Sequence, residues 1–509
     1  LIVKTFGNTT IPYLSVPVIH TKHNHPKGEQ EMKLSKAVLK DRIHACWIGK
    51  NIGGTMGTPY EGKTEMQDIR GFVTPSGKPL PNDDLDLQLV WLLAMEEHGP
   101  YNLNAQILGE YWISYITPHW NEYGIGKANL KAGLLPPLSG QYQNNWKHSN
   151  GAWIRSEIWA CLAPGCPDIA IRYALQDACV DHGMGEGTYA EFFTAAMESA
   201  AFVVSDIRKL IGIGLSKIPS GCRVSRSIRL VLDCYDKGLD WKTTRSRLVE
   251  DSADLGWFQA PANLGFVVLG LLYGNGNFKR SMILAINCGD DTDCTGATVG
   301  ALLGILGGMD GIPEDWRGHI GDDIVTVSLD NSCIGFAKSC TELTERVCSM
   351  IPTVLKANQA AVQLVDPAIE SGREMTVEEV EALSDPTFAA RLYDMPGYSY
   401  SVDFIYASAR VEFDAKPVME PMGSIRIKIR FFNKTREARH LHIRLFLPEG
   451  WSADGWRRDV YLPHSSNASA IWSAKITANE KVEPMNRILA EVTAPGRPSV
   501  GLIPITILG

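Results

Sequence analysis

Asn287-Cys288-Gly289-Asp290-Asp291-Thr292-Asp293-Cys294-Thr295-Gly296 joins an apolar run, Met282 to Ile286, to a helix pattern built on small residues, Gly296 to Gly308. Three aspartates within four positions repel one another unless something cationic sits among them. Taken alone, such a turn is most often a solvated one. A second cluster, Asn82-Asp83-Asp84-Leu85-Asp86, heads another helix pattern about two hundred residues upstream. Two acidic turns that converge in space make a site for a hard cation, and the pairing predicts an enzyme.

Outward from these turns the spacing is helical. Leu39, Ile43 and Cys46 recur on one face, and Leu87 to Met95 opens a longer helix. Further helices are predicted over 158–163, 168–180, 189–213, 224–235, 262–273, 296–308 and 341–357. Alternating runs are scarce before residue 390. Past Pro386 the character changes: Ile425 to Phe431 and Leu441 to Leu447 alternate, separated by turn signals such as Pro448-Glu449-Gly450. The predicted fold class is mainly α, a large all-α bundle followed by a smaller all-β sandwich. The expected division is an irregular arm over 1–33, a helical domain over 34–357, a linker over 358–397 with a short capped helix at 376–384, and the sandwich over 398–509. His20, His23 and His25 in the arm read as surface residues. Arg426, Lys428 and Arg430 read as one solvated face of the sandwich.

With 509 residues, 45% apolar content, 21% charged content and 13 tryptophans, the chain is globular and has ample material for a core. A net charge of −8 carries no basic footprint, which argues against nucleic acid as a partner. No run of eighteen apolar residues predicts a transmembrane helix. The eleven cysteines are odd in number and scattered between Cys46 and Cys348, matching neither a zinc knuckle nor a disulfide framework. Most read as small buried apolar residues. The chain opens on Leu1 instead of Met, which fits a processed or trimmed chain.

A third segment, Ile52-Gly53-Gly54-Thr55-Met56-Gly57-Thr58-Pro59-Tyr60-Glu61-Gly62, has Gly-x3-Gly-x-Pro-x-Glu spacing. It is followed in order by the two acidic turns, by Gly300-Ala301-Leu302-Leu303-Gly304 and by Gly311-Ile312-Pro313-Glu314-Asp315-Trp316. Over about residues 34–350 this ordered set resembles the ADP-ribosylglycohydrolase family. The resemblance implies an all-helical bundle with two magnesium ions in a cleft. It implies that Asp83, Asp84, Asp291 and Asp293 bind metal, with Glu61 reaching the same site and Asn82 beside it. It also implies that Asn150-Gly151-Ala152 lines the ribose and diphosphate, and that His182 stands where the family has a Thr-His pair. An all-oxygen donor set suits Mg²⁺ or Mn²⁺ better than zinc. Glu61, Asp83 and Asp291 are all candidates for the catalytic base.

The departures are local. Gly54 stands where the family has Asp, Asn82 and Leu85 flank the aspartate pair where the family has Thr, and Cys294 replaces a ligand-type Thr. Against these losses the chain adds Asp86, on one helix face with Asp83, as a replacement ligand or base. Tyr111, Trp112, Tyr115, His119, Trp120, Tyr142, Asn144, Asn145, His148 and Phe258 join Trp146 and Trp257 as candidates for a substrate wall, with Trp146 and Trp257 leading.

These readings make the chain a metal-dependent glycohydrolase acting on an ADP-ribosyl or related, furanosyl, small-molecule or glycan substrate by metal-assisted water attack. Leu441 to Trp451 also resembles accessory β-domains of polysaccharide-degrading enzymes. That favours an exported, periplasmic or secreted, glycosidase on the same scaffold as the alternative. A non-catalytic sugar- or nucleotide-binding relative is a second alternative, and a structural protein with a stabilising metal a third. The sequence carries no mark of oligomeric state.

Overall fold

Two glycine-rich helices set the frame of the helical part. The computed structural model describes residues 32–509 apart from 331, 333–334, 367–374, 436, 456 and 465–467, so His20, His23 and His25 lie outside the described residues. Ser35 caps the helix Lys36–Gly57, its hydroxyl accepting the Val38 N–H at 3.5 Å. This helix runs antiparallel to Thr292–Gly311: Gly49 meets Gly300, Gly53 meets Gly296 and Gly57 meets Thr292. A Cβ on Gly53 would lie 2.1 Å from the Gly296 carbonyl oxygen, and one on Gly300 2.0 Å from that of Gly49. The two backbones touch, and any side chain in the seam would force them apart. Because the pairing is antiparallel, the end of the first helix lies beside the start of the second. The Gly-x3-Gly spacing therefore delivers the turn after Gly57 to Asp291.

Around this pair stand Asp83–Asn102, Pro167–Asp181, Glu186–Ala201, Ala260–Tyr273 and Cys340–Ala357, among shorter helices. Ala260–Tyr273 is apolar on every side and buried from Ala260 to Leu272, as a core helix must be. No single described helix is long and apolar enough to cross a membrane. The pattern over 189–213 predicts one helix, but the chain breaks there into Glu186–Ala201 and Ile207–Ser216. Phe202 and Val204 continue the apolar run as buried loop residues, while Asp206 starts a new helix by accepting the Lys209 N–H at 2.9 Å. The predicted capped helix in the linker is present as Val377–Ala382. Thr376 and Glu379 exchange hydrogen bonds there in a capping box, at 2.6 and 3.3 Å. A further helix, Pro386–Tyr393, precedes the strands.

The strands are β1 Met32–Ser35, β2 Val362–Val365, β3 Ser399–Phe404, β4 Ala407–Phe413, β5 Ser424–Asn433, β6 Arg439–Phe446, β7 Ser452–Ala453, β8 Arg457–Leu462, β9 Ser469–Thr477, β10 Met485–Thr493 and β11 Gly501–Leu508. β1 and β2 form a short parallel pair. β3 to β11 form a five-stranded sheet, β3-β4-β5-β9-β7, and a four-stranded one, β11-β10-β6-β8, with all neighbours antiparallel. Ile425, Ile427, Ile429 and Phe431 of β5 and Leu441, Ile443 and Leu445 of β6 are buried, and they alternate with Arg426, Lys428 and Arg430 on β5 and with His442 and Arg444 on β6. This is the period of two read from the sequence. Arg426 and Lys428 are exposed, whereas Arg430 leans on Glu412 at 3.4 Å. Among the described residues, the compact unit holding this sandwich runs from Arg391 to Gly509 and takes in Asn129–Leu138; the helical unit comprises the rest.

Candidate active site

The glycine seam ends at Gly57, and Pro59 sits in the first positions of the short 3-10 turn Thr58–Tyr60 that delivers Glu61. Two backbone bonds fasten this segment to the acidic turn: Gly62 N–H to the Asp290 carbonyl at 2.9 Å, and Asp290 N–H to that of Lys63 at 2.8 Å. Gly289 is required between them. Its φ is +78°, and a Cβ would lie 2.3 Å from the Glu65 carbonyl oxygen. Glu61, Asp291 and Asp293 thereby come within 4.8 Å of one another, Glu61 being the exposed member.

The second acidic turn joins from the start of Asp83–Asn102. Asn82 caps that helix, its Oδ1 accepting the Asp84 N–H at 2.8 Å. A Cβ on Gly54 would lie only 1.8 Å from Asn82 Nδ2. The two departures from the family pattern are thus one: Asn82 fills the space that Gly54 leaves. Asp83 Oδ2 accepts from the Tyr123 hydroxyl at 2.9 Å, and Asp84 Oδ1 accepts from the Cys294 thiol at 3.3 Å. Asp84, Asp293 and Cys294 form a second group with ligand atoms within 4.8 Å.

These acids raise one another's proton affinity. The charge of Asp293, with burial and Asp83, pushes Glu61 up to about 8, and burial with Asp293 pushes Asp83 up to about 6. Burial also holds Asp84, Asp291 and Asp293 above the usual carboxylate range. Asp84 Oδ2, Asp291 Oδ1 and Asp293 Oδ1 are buried without a hydrogen-bond partner. The Glu61, Asp291 and Asp293 group offers only oxygens, and enclosed oxygens without donors fit a hard divalent cation.

Other residues hold this arrangement. Asn150 Nδ2 donates to Asp291 Oδ2 at 2.6 Å, and Trp153 Nε1 fixes Asn150 from behind at 3.1 Å. Asn263 Oδ1 accepts the Asp291 N–H at 3.2 Å while its Nδ2 donates to Asp290 at 3.1 Å. Asp290 also accepts the Phe258 N–H at 2.8 Å, pinning a phenylalanine with φ of +63°. This elbow presents Trp257, 42% exposed, and sets Phe258 edge-on to Trp146 with centroids 6.1 Å apart. Trp112 and Asn144, in contrast, are buried. Asn144 binds the Gly140 and Asp181 carbonyls, so both are packing residues.

The structure does not bring His182 or Asp86 into the carboxylate cluster. His182 is fully enclosed, with Nδ1 3.0 Å from Asp181 and Nε2 3.1 Å from the Ser149 hydroxyl. It supports the Asn150-Gly151-Ala152 turn, where a Cβ on Gly151 would lie 2.0 Å from Glu122 Oε1 and 3.3 Å from the His182 ring. Gly151 and Ala152 are buried with it. Asp86 Oδ2 accepts the N–H groups of Val327 and Ser328 at 2.7 and 2.6 Å, which makes Asp86 the anchor of that loop. Its carboxyl is nonetheless pushed up to about 8 by burial.

Sequence reading missed Lys50, which is fully enclosed and ion-paired to Glu157 at 2.8 Å and to Asp84 at 3.7 Å. Burial disfavours its ammonium, but Glu157 and Asp84 more than offset that and raise its pKa. The available signal was its setting: every residue from Ala45 to Gly57 is buried, so the helix has no wet side for a lysine.

A mainly helical unit that gathers carboxylates from two helix starts and a turn defines a class of enzymes whose chemistry rests on clustered acids. The ADP-ribosylglycohydrolase family model matches residues 35–349, and the chain belongs to that family. Membership implies a hydrolase of glycosidic bonds. No curated protein matches the chain.

Proposed function

We propose that this chain is a glycohydrolase that uses a divalent cation, Mg²⁺ or Mn²⁺, to cleave an ADP-ribosyl or related furanosyl substrate. The observation that carries this reading is the convergence of Glu61, Asp83, Asp291 and Asp293 around buried oxygens of Asp291 and Asp293 that lack a hydrogen-bond donor among the described residues. When bound, the cation supplies polarisation of a sugar diol and acidification of water.

The chain's own residues do the remaining work. Asn150 and Asn263 fix Asp291, and Tyr123 fixes Asp83. Groups held this firmly suit positioning. Glu61 is the exposed acid, and its proton affinity near neutrality suits it to take a proton from the attacking water. Trp257 and Trp146 offer ring surface for a sugar or a base. The sandwich favours a second reading, in which an exported enzyme cleaves furanosyl units from a polysaccharide.

The test is product release from a mixed panel, with Mg²⁺ and with EDTA. The panel pairs ADP-ribosylated protein and ADP-ribosyl-arginine with aryl furanosides and plant or bacterial glycans. Metal-dependent release of ADP-ribose supports the first reading, and release of a simple sugar with ADP-ribosyl bonds untouched supports the second. Metal binding without turnover on any arm, or turnover that EDTA leaves intact, overturns the proposal.

A further inference from the structure

We infer that the Lys50 ammonium occupies the role of a second cation, so that the carboxylate site takes one divalent ion where the family resemblance implies two. The inference rests on the metal reading above and concerns only the number of ions.

The two sides of the cluster differ in what faces their oxygens. On one side Glu61, Asp291 and Asp293 approach within 4.8 Å, and among the described residues none forms an ion pair with a cationic side chain and Asp291 Oδ1 and Asp293 Oδ1 lack a donor. On the other side Asp84 has a donor at one oxygen and an ion-pair partner, without a hydrogen bond, at the other. The Cys294 thiol donates to Oδ1 at 3.3 Å, and the Lys50 ammonium stands 3.7 Å from Oδ2. Lys50 is held there. Its Nζ donates to Glu157 Oε1 at 2.8 Å, Gln88 secures Glu157 Oε2 at 2.8 Å, and neither Lys50 nor Glu157 has any exposed surface.

A dication bound by Asp84 would meet a buried ammonium against the same carboxylate, at a depth where screening is weak. It would also have to break the Cys294 thiol hydrogen bond to Asp84 Oδ1. The Cys294 hydrogen bond and the presence of Lys50 act in the same direction, against the second position.

Mn²⁺ serves as the probe, counted by elemental analysis after desalting and read by electron paramagnetic resonance. The wild-type chain is expected to saturate at one Mn²⁺ with an uncoupled spectrum. Lys50→Met alone strands Glu157, so the informative variant is Lys50→Met with Glu157→Gln, which removes the pair together. That variant is expected to take up a second ion and to show a spin-coupled spectrum. Two coupled ions in the wild type overturn the inference and leave the glycohydrolase reading standing. A folded double variant that still holds one ion overturns the role of Lys50. No bound ion in the wild type overturns the metal reading and this inference together.

Discussion

Around Arg155 and around Asp291 the helical unit buries two groups of acids, and it neutralises them differently. Arg155 donates to Asp177 at 2.7 Å, to Asp181 at 2.6 Å and to the Gly151 carbonyl. Burial alone would raise the Asp181 carboxyl, but Arg155 and His182 outweigh it and hold it below the ordinary range. The surplus acid Glu122 is fully enclosed and pushed up to about 8 by burial and Asp181, so it keeps its proton at neutral pH. Around Asp291 no cationic side chain among the described residues forms an ion pair with Glu61, Asp291 or Asp293; neighbouring acids and burial raise Glu61 and Asp291, and burial raises Asp293. Glu122, Asp181 and His182 also come within metal-ligand reach of one another. Their charge, however, is already met by Arg155 and the Ser149 hydroxyl. A buried acid balanced by its own protein serves the fold, and one left unbalanced calls for a ligand.

Breaking the internally balanced cluster has the largest expected effect. Arg155→Met strands Asp177 and Asp181 and should cost about 3–5 kcal/mol, read as a drop in denaturant midpoint. A loss under about 1 kcal/mol would show that the arginine is dispensable to the balance. Asp291→Asn tests the other cluster, with the opposite sign for stability. Removing one repelling charge while keeping an acceptor for Asn150 should raise the metal-free melting temperature by about 2–4 °C. The same change should weaken Mn²⁺ binding by about 100-fold, measured by calorimetry. A lower metal-free melting temperature would mean that the cluster is not strained by its own charge.

The smallest effect sharpens the comparison through pH. Glu61 and Asp83 are raised from 4.5 and 3.8 to about 8 and about 6. A carboxyl that holds its proton more tightly when folded stabilises the fold at low pH. That contribution fades as pH rises above the unfolded values, and it is gone above about 8. The metal-free chain should therefore lose stability between pH 5.5 and 8. The gain in melting temperature on adding Mg²⁺ should grow over the same window, because protons and the cation compete for the same oxygens. Equal gains at pH 5.5 and pH 8, with EDTA as the control, would contradict the assignment of these carboxylates to the cation.

Much of the site was legible because its signals are local. Two acidic turns, each at a helix start, and a Gly-x3-Gly-x-Pro-x-Glu segment can be read residue by residue. So can the alternation of Ile425 to Phe431, since strand faces repeat every two residues. What escaped depends on partners far along the chain. Asp86 reads as a spare ligand until Val327 and Ser328, some 240 positions away, take its oxygen. His182 reads as a cleft residue until Asp181 and Ser149 close on both nitrogens. The break within 189–213 was hidden because Phe202 and Val204 are as apolar in a loop as in a helix.

The sequence by itself determined the fold class and the family and singled out the acids of the candidate site, because hydrophobic period and charge spacing are properties of neighbouring residues. Only the tertiary structure decided how each charge is met. The antiparallel glycine seam sets Glu61 against Asp291, the Asn82 side chain fills the space beside Gly54, and Lys50 is buried against Asp84. A charge in low dielectric is governed by whatever lies within a few ångströms of it, and packing alone chooses those neighbours.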